Sequence, residues 1–429
     1  MHLPTIEVLD SGVRVRQATR ITAPVSCAPP PVDPQAPVRR AALSTALLLT
    51  VAGTAAVTYA YGPRSGGLLA TGLALGFALF HSRFGFTSGW QQLVAVGNGQ
   101  GLRAQLVLFA TAATAVMAVA AARFAVFDPA PQPQAARIGV TLVAGSALFG
   151  FGMQLGGSCA SGTLYAVGAG QSSIVLTLAG FLAGSLVCTR ASPLLSALPS
   201  VPGVLLADEV GWGGAWLITM AALLLIAATS WWIQRRRVPP PVAPTPTAHG
   251  PLRLLRGAWP MTAGAVVLGV LAGLLFLMTG RRWSVANGYA LWAAKLGEHA
   301  GLQPHTWPFW QRPENAHALS GPLLTDQSSL TNFGIMAGAA VAALAAGAWQ
   351  LHSSIAWRTA AAATLGGVLM GFGARMSGGC NIGALLGGIS LGDLSGWIWG
   401  CGALAGTWLG IKARPAFGLH TPRPDSSVC

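Results

Sequence analysis

Two stretches decide the fold: Gly150-Phe-Gly-Met-Gln-Leu-Gly-Gly-Ser-Cys159-Ala-Ser-Gly162 and Gly371-Phe-Gly-Ala-Arg-Met-Ser-Gly-Gly-Cys380-Asn-Ile-Gly383. They align without gaps, and six of thirteen positions are identical: four glycines, a phenylalanine and the cysteine. Beyond them, Ala183-Gly184-Ser185 echoes Ala405-Gly406-Thr407 at nearly the same offset. A weaker echo precedes each motif, Arg83-Phe84-Gly85-Phe86-Thr87-Ser88-Gly89 against Arg282-Trp283-Ser284-Val285-Ala286-Asn287-Gly288. Echoes in the same order mean a duplicated unit.

The chain around the motifs is made for lipid. Of 429 residues, 53% are apolar, 8% are charged and 56 are glycine. A soluble domain carries about 25% charged residues, so water is the wrong solvent for this surface. Apolar runs fall at residues 41–60, 67–80, 104–122, 138–157, 173–189, 213–233, 259–279, 332–350, 359–374 and 396–411. Most approach the ~20 residues that span a bilayer as a helix. The fold class is therefore all-α, a polytopic integral membrane protein of about ten segments. The runs at 67–80, 359–374 and 396–411 are short, and broken or tilted helices are expected there.

Residues 1–40 are polar, dotted with proline and lack an apolar run, so they are expected to be a disordered tail. The run at 41–60 follows Arg39-Arg40 and reads as a retained membrane anchor. It is long for a signal peptide, and its charges lie far from Met1. A basic, proline-rich linker at 234–258 divides the rest into a first repeat, 67–233, and a second, 259–412. Residues 413–429 form a second tail.

Lys and Arg total 25 against 11 Asp and Glu. No basic helix interleaved with aromatics accompanies this excess, so nucleic acid is excluded as a partner. The positive-inside rule accounts for it instead. With ten spans and both termini inside, the linker arginines, Arg103, Arg358 and Lys412 fall inside. Asp128, Glu298, Glu314 and Asp326 fall outside. The two Cys motifs end the fourth and ninth spans, an odd separation, so the copies face opposite sides of the membrane. Inverted repeats of this kind build transporters whose site lies at the midplane.

The glycines of each motif are expected to break a helix and start a half-helix at the cysteine. Backbone N–H groups and a positive helix end would then face a solute. A thiol is polarizable and a weak donor, suited to a soft sulfur-bearing anion. A helix N-terminus also favours thiolate, which would repel an anion, and this tension stays open. Scattered glycines such as Gly264, Gly269 and Gly273 need only close helix packing. Two other chemistries compete for the paired thiols. Soft-metal binding lacks a supporting Met or His cluster, and persulfide or redox catalysis lacks a base within either motif. No cofactor or metal motif is present, and without G-x-x-x-x-G-K-[ST] the chain cannot drive ATP-powered transport alone.

Cys188 and Cys401 lie in apolar helices and read as inert small hydrophobes, while Cys27 and Cys429 lie in the tails. His299, His305 and His317 share a loop with Glu298, Glu314 and Asp326, and their scattered spacing reads as solvated loop rather than metal site. Arg375 and Asp393 are ionisable residues in an apolar region and hence functional suspects; Asp393 also suits a helix cap.

At these residues the chain resembles the YeeE/YedE family of sulfur-compound transporters, which includes bacterial thiosulfate importers. The resemblance covers roughly residues 67–412. It rests on Ser82-Arg83-Phe84, Gly156–Gly162, Trp283–Gly288, Ala290–Lys295 and Ser377–Gly383. It implies an hourglass-shaped helical protein of the inner membrane with a narrow central path. Cys159 and Cys380 are implied to contact the passing anion through S–H hydrogen bonds. Gly157, Ser158, Ser161, Gly378, Gly379, Asn381 and Arg375 are expected along the same path. A small TusA-like sulfur carrier on the cytoplasmic side is the implied partner. The family's early motif reads Arg-Phe-Cys, and here Gly85 stands in place of that third thiol.

Overall fold

The computed structural model describes residues 38–131, 133–237, 239, 250, 253–349, 351 and 355–419. The expected disordered tails and the proline-rich core of the linker lie largely outside these residues. Among the described residues the regular structure is helical except for two short β-strands, β1 (Ile138–Gly139) and β2 (Ser200–Val201), paired antiparallel. In lipid each backbone N–H and C=O must be satisfied within the protein, which leaves helices as the means of crossing.

The chain begins with α1 (Arg40–Ser82), interrupted at Gly62, whose φ of 85° places it in the left-handed region, and followed by Pro63. Proline cannot donate to the preceding turn, and glycine accepts the reversal. A Cβ on Gly66 would collide with Thr58. Residues eight apart in a straight helix lie about 12 Å apart, so α1 is a hairpin of two helices. Its turn is held by the Arg64–Asp128 ion pair at 2.8 Å. Then come α2 (Phe86–Val96), α3 (Gln100–Ala122), α4 (Val140–Gly156), α5 (Ala160–Gly168), α6 (Ser172–Arg190) and the short α7 (Ser192–Ser196). A long α8 (Leu206–Arg237) leads to the linker and the one-turn α9 (Arg253–Arg256).

The second half runs through α10 (Met261–Thr279), α11 (Ala286–His299), α12 (Pro313–Ser320), α13 (Gln327–Ala345) and α14 (Trp357–Met376). A π-helix (Asn381–Leu386), α15 (Gly387–Leu391) and α16 (Leu394–Ala413) complete it. Seven of the described helices are long and apolar enough to cross a membrane, the first counted as the whole stretch Arg40–Val96. Each of the ten apolar runs lies on a long helix, counting the α1 hairpin as two. The expectation of breaks at 359–374 and 396–411 is corrected: α14 and α16 are uninterrupted helices of 20 residues each. Their glycines serve close packing rather than kinks.

The glycine contacts show how the halves interlock. Gly180 and Gly184 of α6 meet Thr364 and Val368 of α14, so these helices run parallel. Gly150 of α4 meets Ala403 of α16, and Gly410 meets Phe151 and Gln154, again parallel. Gly72 and Gly76 of α1 meet Thr331 and Ile335 of α13, while Gly269 and Gly273 of α10 meet Thr111 and Ala115 of α3. Every pairing therefore has its reciprocal in the other half, the signature of an isologous, twofold-related contact. At the centre α4 crosses α14: Gly145 meets Gly373 and Gly152 meets Gly366, so residue numbers rise on one helix as they fall on the other. The two motif helices are antiparallel, and the duplicated units are inverted. α8 stands outside this scheme, packed on α3, as does the first helix of the α1 hairpin.

One face of the molecule gathers the ends of α3, α10 and α15 with the start of α8. Val126 N–H donates to Leu277 O at 2.9 Å, and Leu206 N–H to Gly392 O at 2.9 Å. The opposite face gathers the end of α8, the start of α3 and the end of the α1 hairpin. There Gly99 N–H donates to Gln234 Oε1 at 3.2 Å and Trp259 N–H to His81 O at 2.9 Å.

Candidate functional site

Four short segments fail to cross: α2, α5, α11 and the π-helix with α15. The 11 residues of α2 rise about 16 Å, against a hydrocarbon core of about 30 Å. Two of these segments begin at the motif cysteines. α4 ends at Gly157, whose φ is 71°, and Cys159 in extended conformation caps α5. In the second copy the turn needs two glycines, Gly378 at φ 79° and Gly379 at φ 159°, before Cys380 caps the π-helix. L-residues with a Cβ avoid these angles, which is why the motif spends glycines there.

Each motif helix is bonded at its end by a later helix of its own half, α6 in the first and α16 in the second. Thr177 Oγ1 of α6 donates to the Gly156 carbonyl at 3.1 Å. Trp399 Nε1 of α16 donates to Ser377 Oγ at 2.9 Å, and that hydroxyl donates to Gly373 O at 2.7 Å. The Thr177 bond gives a partner to a carbonyl in the last turn of α4, and the Ser377 hydroxyl adds a second bond to Gly373 O, which also accepts from Ser377 N–H at 2.9 Å.

Both thiols lie near Tyr289. Cys159 is 2% exposed and Cys380 is fully buried. The Tyr289 hydroxyl donates to the Ala160 carbonyl at 2.9 Å and lies within electrostatic reach of both sulfurs. Its ring stands edge-on to Phe181, with centroids 4.7 Å apart. Tyr289 is the first turn of α11, so the starts of α11 and α5 converge on the space beside the cysteines. Gly383 of the π-helix faces Ser284, just before α11. Several helix N-termini thus point their partial positive charge into one buried region.

The predicted residues divide by copy. Cys159 Sγ accepts from Gly162 N–H at 3.4 Å and lies 3.6 Å from Ser161 Oγ. Ser158 Oγ donates to the Cys159 carbonyl at 3.1 Å, so it braces the turn. Ser158, Ser161 and Gly157 are all buried. In the second copy Gly378 and Asn287 are exposed, and Arg375 is half-buried. Arg375 Nη2 donates to Asn287 Oδ1 at 2.6 Å, and its guanidinium lies within electrostatic reach of Cys380. Asn381 is 1% exposed, yet both its amide atoms are buried without a partner.

Gly85 caps α2 with φ −148°, extended backbone open to any residue. It is buried, and its carbonyl accepts from Gln105 Nε2 at 3.1 Å. Asp393 lies apart from this region. It caps α16 through Ser395 N–H at 2.9 Å and pairs with Arg282 at 3.5 Å. Among the described residues, no three His, Cys, Asp or Glu side chains gather as a metal site.

Sequence reasoning missed Tyr289 and a pair of amide latches. Gln105 of α3 holds the Gly85 carbonyl and receives Trp90 Nε1 at 2.7 Å. Asn332 of α13 holds the Val285 carbonyl at 3.0 Å in the same place in the other half. A Cβ at Gly89 would press on Gln105, and one at Gly288 on Asn332. That shared glycine of the weaker echo was the available signal. It records a close approach to a partner helix that the sequence does not identify.

A helical bundle of inverted halves with half-helices starting at buried residues is an architecture found in membrane transporters of small solutes. Comparison with known proteins specifies which kind. The family described as sulphur transport matches residues 81–409, and the chain belongs to it. The thiosulfate transporter TsuA of Escherichia coli (strain K12) is 26% identical over 348 residues, covering 79% of this chain and 92% of that protein. TsuA of Spirochaeta thermophila is likewise 26% identical over 348 residues, covering 79% of this chain and 96% of that protein. The probable transporter YedE of Escherichia coli (strain K12) is 27% identical over 154 residues, 36% of this chain. The matched region spans 37% of YedE's length.

Proposed function

We propose that this protein imports thiosulfate or a related reduced-sulfur anion across the inner membrane, passing it between Cys380 and Cys159. The observation that carries the proposal is the crossing of α4 and α14, which brings a thiol from each inverted half to the start of a half-helix beside Tyr289. Neutral S–H groups donate weakly to a soft anion, and helix N-termini add positive potential without a fixed counter-charge. The names of the long relatives support the substrate class.

In this reading residues 67–233 and 259–412 are the two transporter repeats, and 41–60 is an added anchor. The face with the end of α8 is cytoplasmic, with both termini on it. Supporting that orientation, Arg235 lies 3.3 Å from the Trp231 ring centroid, Arg236 3.8 Å from Trp232 and Lys412 3.6 Å from Trp408. Basic residues stacked on interfacial tryptophans suit an anionic cytoplasmic leaflet. A TusA-like carrier receiving sulfur at that face completes the reading. The alternatives are a selenium-containing substrate, or a sulfur-transfer protein that forms a persulfide on Cys159 or Cys380.

The test is uptake of labelled thiosulfate by cells stripped of their own importers. Uptake with no persulfide trapped on either cysteine supports transport. Absence of uptake at matched membrane expression sinks the thiosulfate assignment, and a trapped persulfide moves the protein to the sulfur-transfer class.

A further inference from the structure

Cys188 of α6 looks from the sequence like packing. The register of the helices places it elsewhere. α6 and α14 run parallel, with Ser185 Oγ 3.4 Å from the Gly371 carbonyl. One turn further along both helices, Cys188 comes level with Arg375. The inverted copy gives the same pairing independently: Gly410 of α16, which stands where Cys188 stands, packs on Gln154, which stands where Arg375 stands. Cys188 is 2% exposed and lies within electrostatic reach of the Arg375 guanidinium, as Cys380 does.

Arg375 spends Nη2 on Asn287, while its Nε is buried with no acceptor. A buried, charged N–H left without an acceptor is costly. Here it faces a region with two thiols, next to the exposed Asn287 and Gly378. The twofold-related site has only Gly410 and Gln154 at the corresponding positions. Anion-binding chemistry is therefore concentrated on one side of the path.

We propose that Cys188 and Arg375 form an outer subsite for a reduced-sulfur oxyanion, which hands its occupant to Cys380. The proposal rests on the transport reading above. The guanidinium takes the hard oxygens, bound by charge-assisted hydrogen bonds. The Cys188 thiol supplies a soft donor to the terminal sulfur. A third thiol thus lines the path even though Gly85 supplies none.

The experiment measures concentration-dependent uptake of labelled thiosulfate, with sulfate as competitor, at matched membrane expression. It compares the full-length chain with Cys188→Ala, Cys188→Ser and Arg375→Gln, plus the Cys188→Ala/Arg375→Gln double variant. We expect Cys188→Ala to raise KM about three- to tenfold with little change in maximal rate, the size of one lost hydrogen bond. Discrimination against sulfate should fall in the same variant, a change that lost packing does not produce. Cys188→Ser preserves the packing and should shift selectivity toward sulfate. In the Arg375→Gln background, Cys188→Ala should add little, because the two groups hold one anion. Wild-type uptake with unchanged KM and selectivity in both Cys188 variants would overturn the subsite alone. No thiosulfate uptake by wild type would overturn the transport reading and the subsite together.

Discussion

The two Cys motifs share six residues and an architecture, yet their surroundings differ. In the first copy the thiol is engaged: Cys159 Sγ caps its helix through Gly162 N–H, and α5 is a regular α-helix. In the second copy Cys380 makes no side-chain cap, and the chain continues as a π-helix. π-Turns carry one extra residue per turn and concentrate at functional sites. At the same relative position, the first motif has Gln154, fully buried with no partner for its amide, and the second has Arg375 reaching the exposed Asn287. On the first side Arg414 Nη1 donates to the Gln154 carbonyl at 2.6 Å, so a side chain covers the helix end. Inversion thus places two helix ends built on one plan toward opposite faces. In this structure Asn287 and Gly378 beside Arg375 are exposed, while Arg414 lies over the Gln154 end.

The largest expected effects test the crossing itself. Gly150→Leu would drive a side chain into the Ala403 carbonyl, at a cost of about 1–3 kcal/mol or more. Both α4 and α16 would have to move, and we expect little protein to accumulate in membranes, read by quantitative immunoblot. Removal of the thiols comes next. Cys380→Ala should reduce uptake about ten- to hundredfold, the range of one hydrogen bond to a charged group. Cys159→Ala should do the same and in addition lose its helix cap, costing about 1 kcal/mol in thermal unfolding. A larger stability loss for Cys380→Ala than for Cys159→Ala would break the comparison.

Gly378→Ala isolates backbone conformation, because no atom lies within 4 Å of the added Cβ and only the φ of 79° resists it. The cost should be about 1–2 kcal/mol, visible as a lowered melting temperature. The smallest effect belongs to Gly85→Cys. Gly85 caps α2 in extended conformation, so a thiol there fits the backbone and should leave stability unchanged while raising uptake. Reduced stability in that variant would contradict the description of the α2 start.

Much of this was legible in the sequence. The duplicated motif and low charge gave the membrane class, the inversion and the cysteine half-helices, because glycine clusters in an apolar chain have few other uses. Uninterrupted α14 and α16 were not legible, since hydropathy cannot tell a packing glycine from a breaking one. The half-helices α2 and α11 also escaped notice: their polar turns, held by Gln105 and Asn332, look like ordinary loops until the partner helices are in place. Tyr289 gave no signal, because its role depends on an approach to Ala160 across 129 residues of chain. Cys188 read as a hydrophobe for the same reason.

The central claim is that one anion passes between thiols contributed by two inverted halves. A structure of the protein with selenosulfate, whose selenium marks the anion by anomalous scattering, tests it most directly. The account predicts a selenium peak beside Tyr289, within hydrogen-bonding reach of Cys380 or Cys159. A peak confined to the outer pocket lined by Glu298, His305, Trp310 and His317, with none between the half-helices, would contradict it.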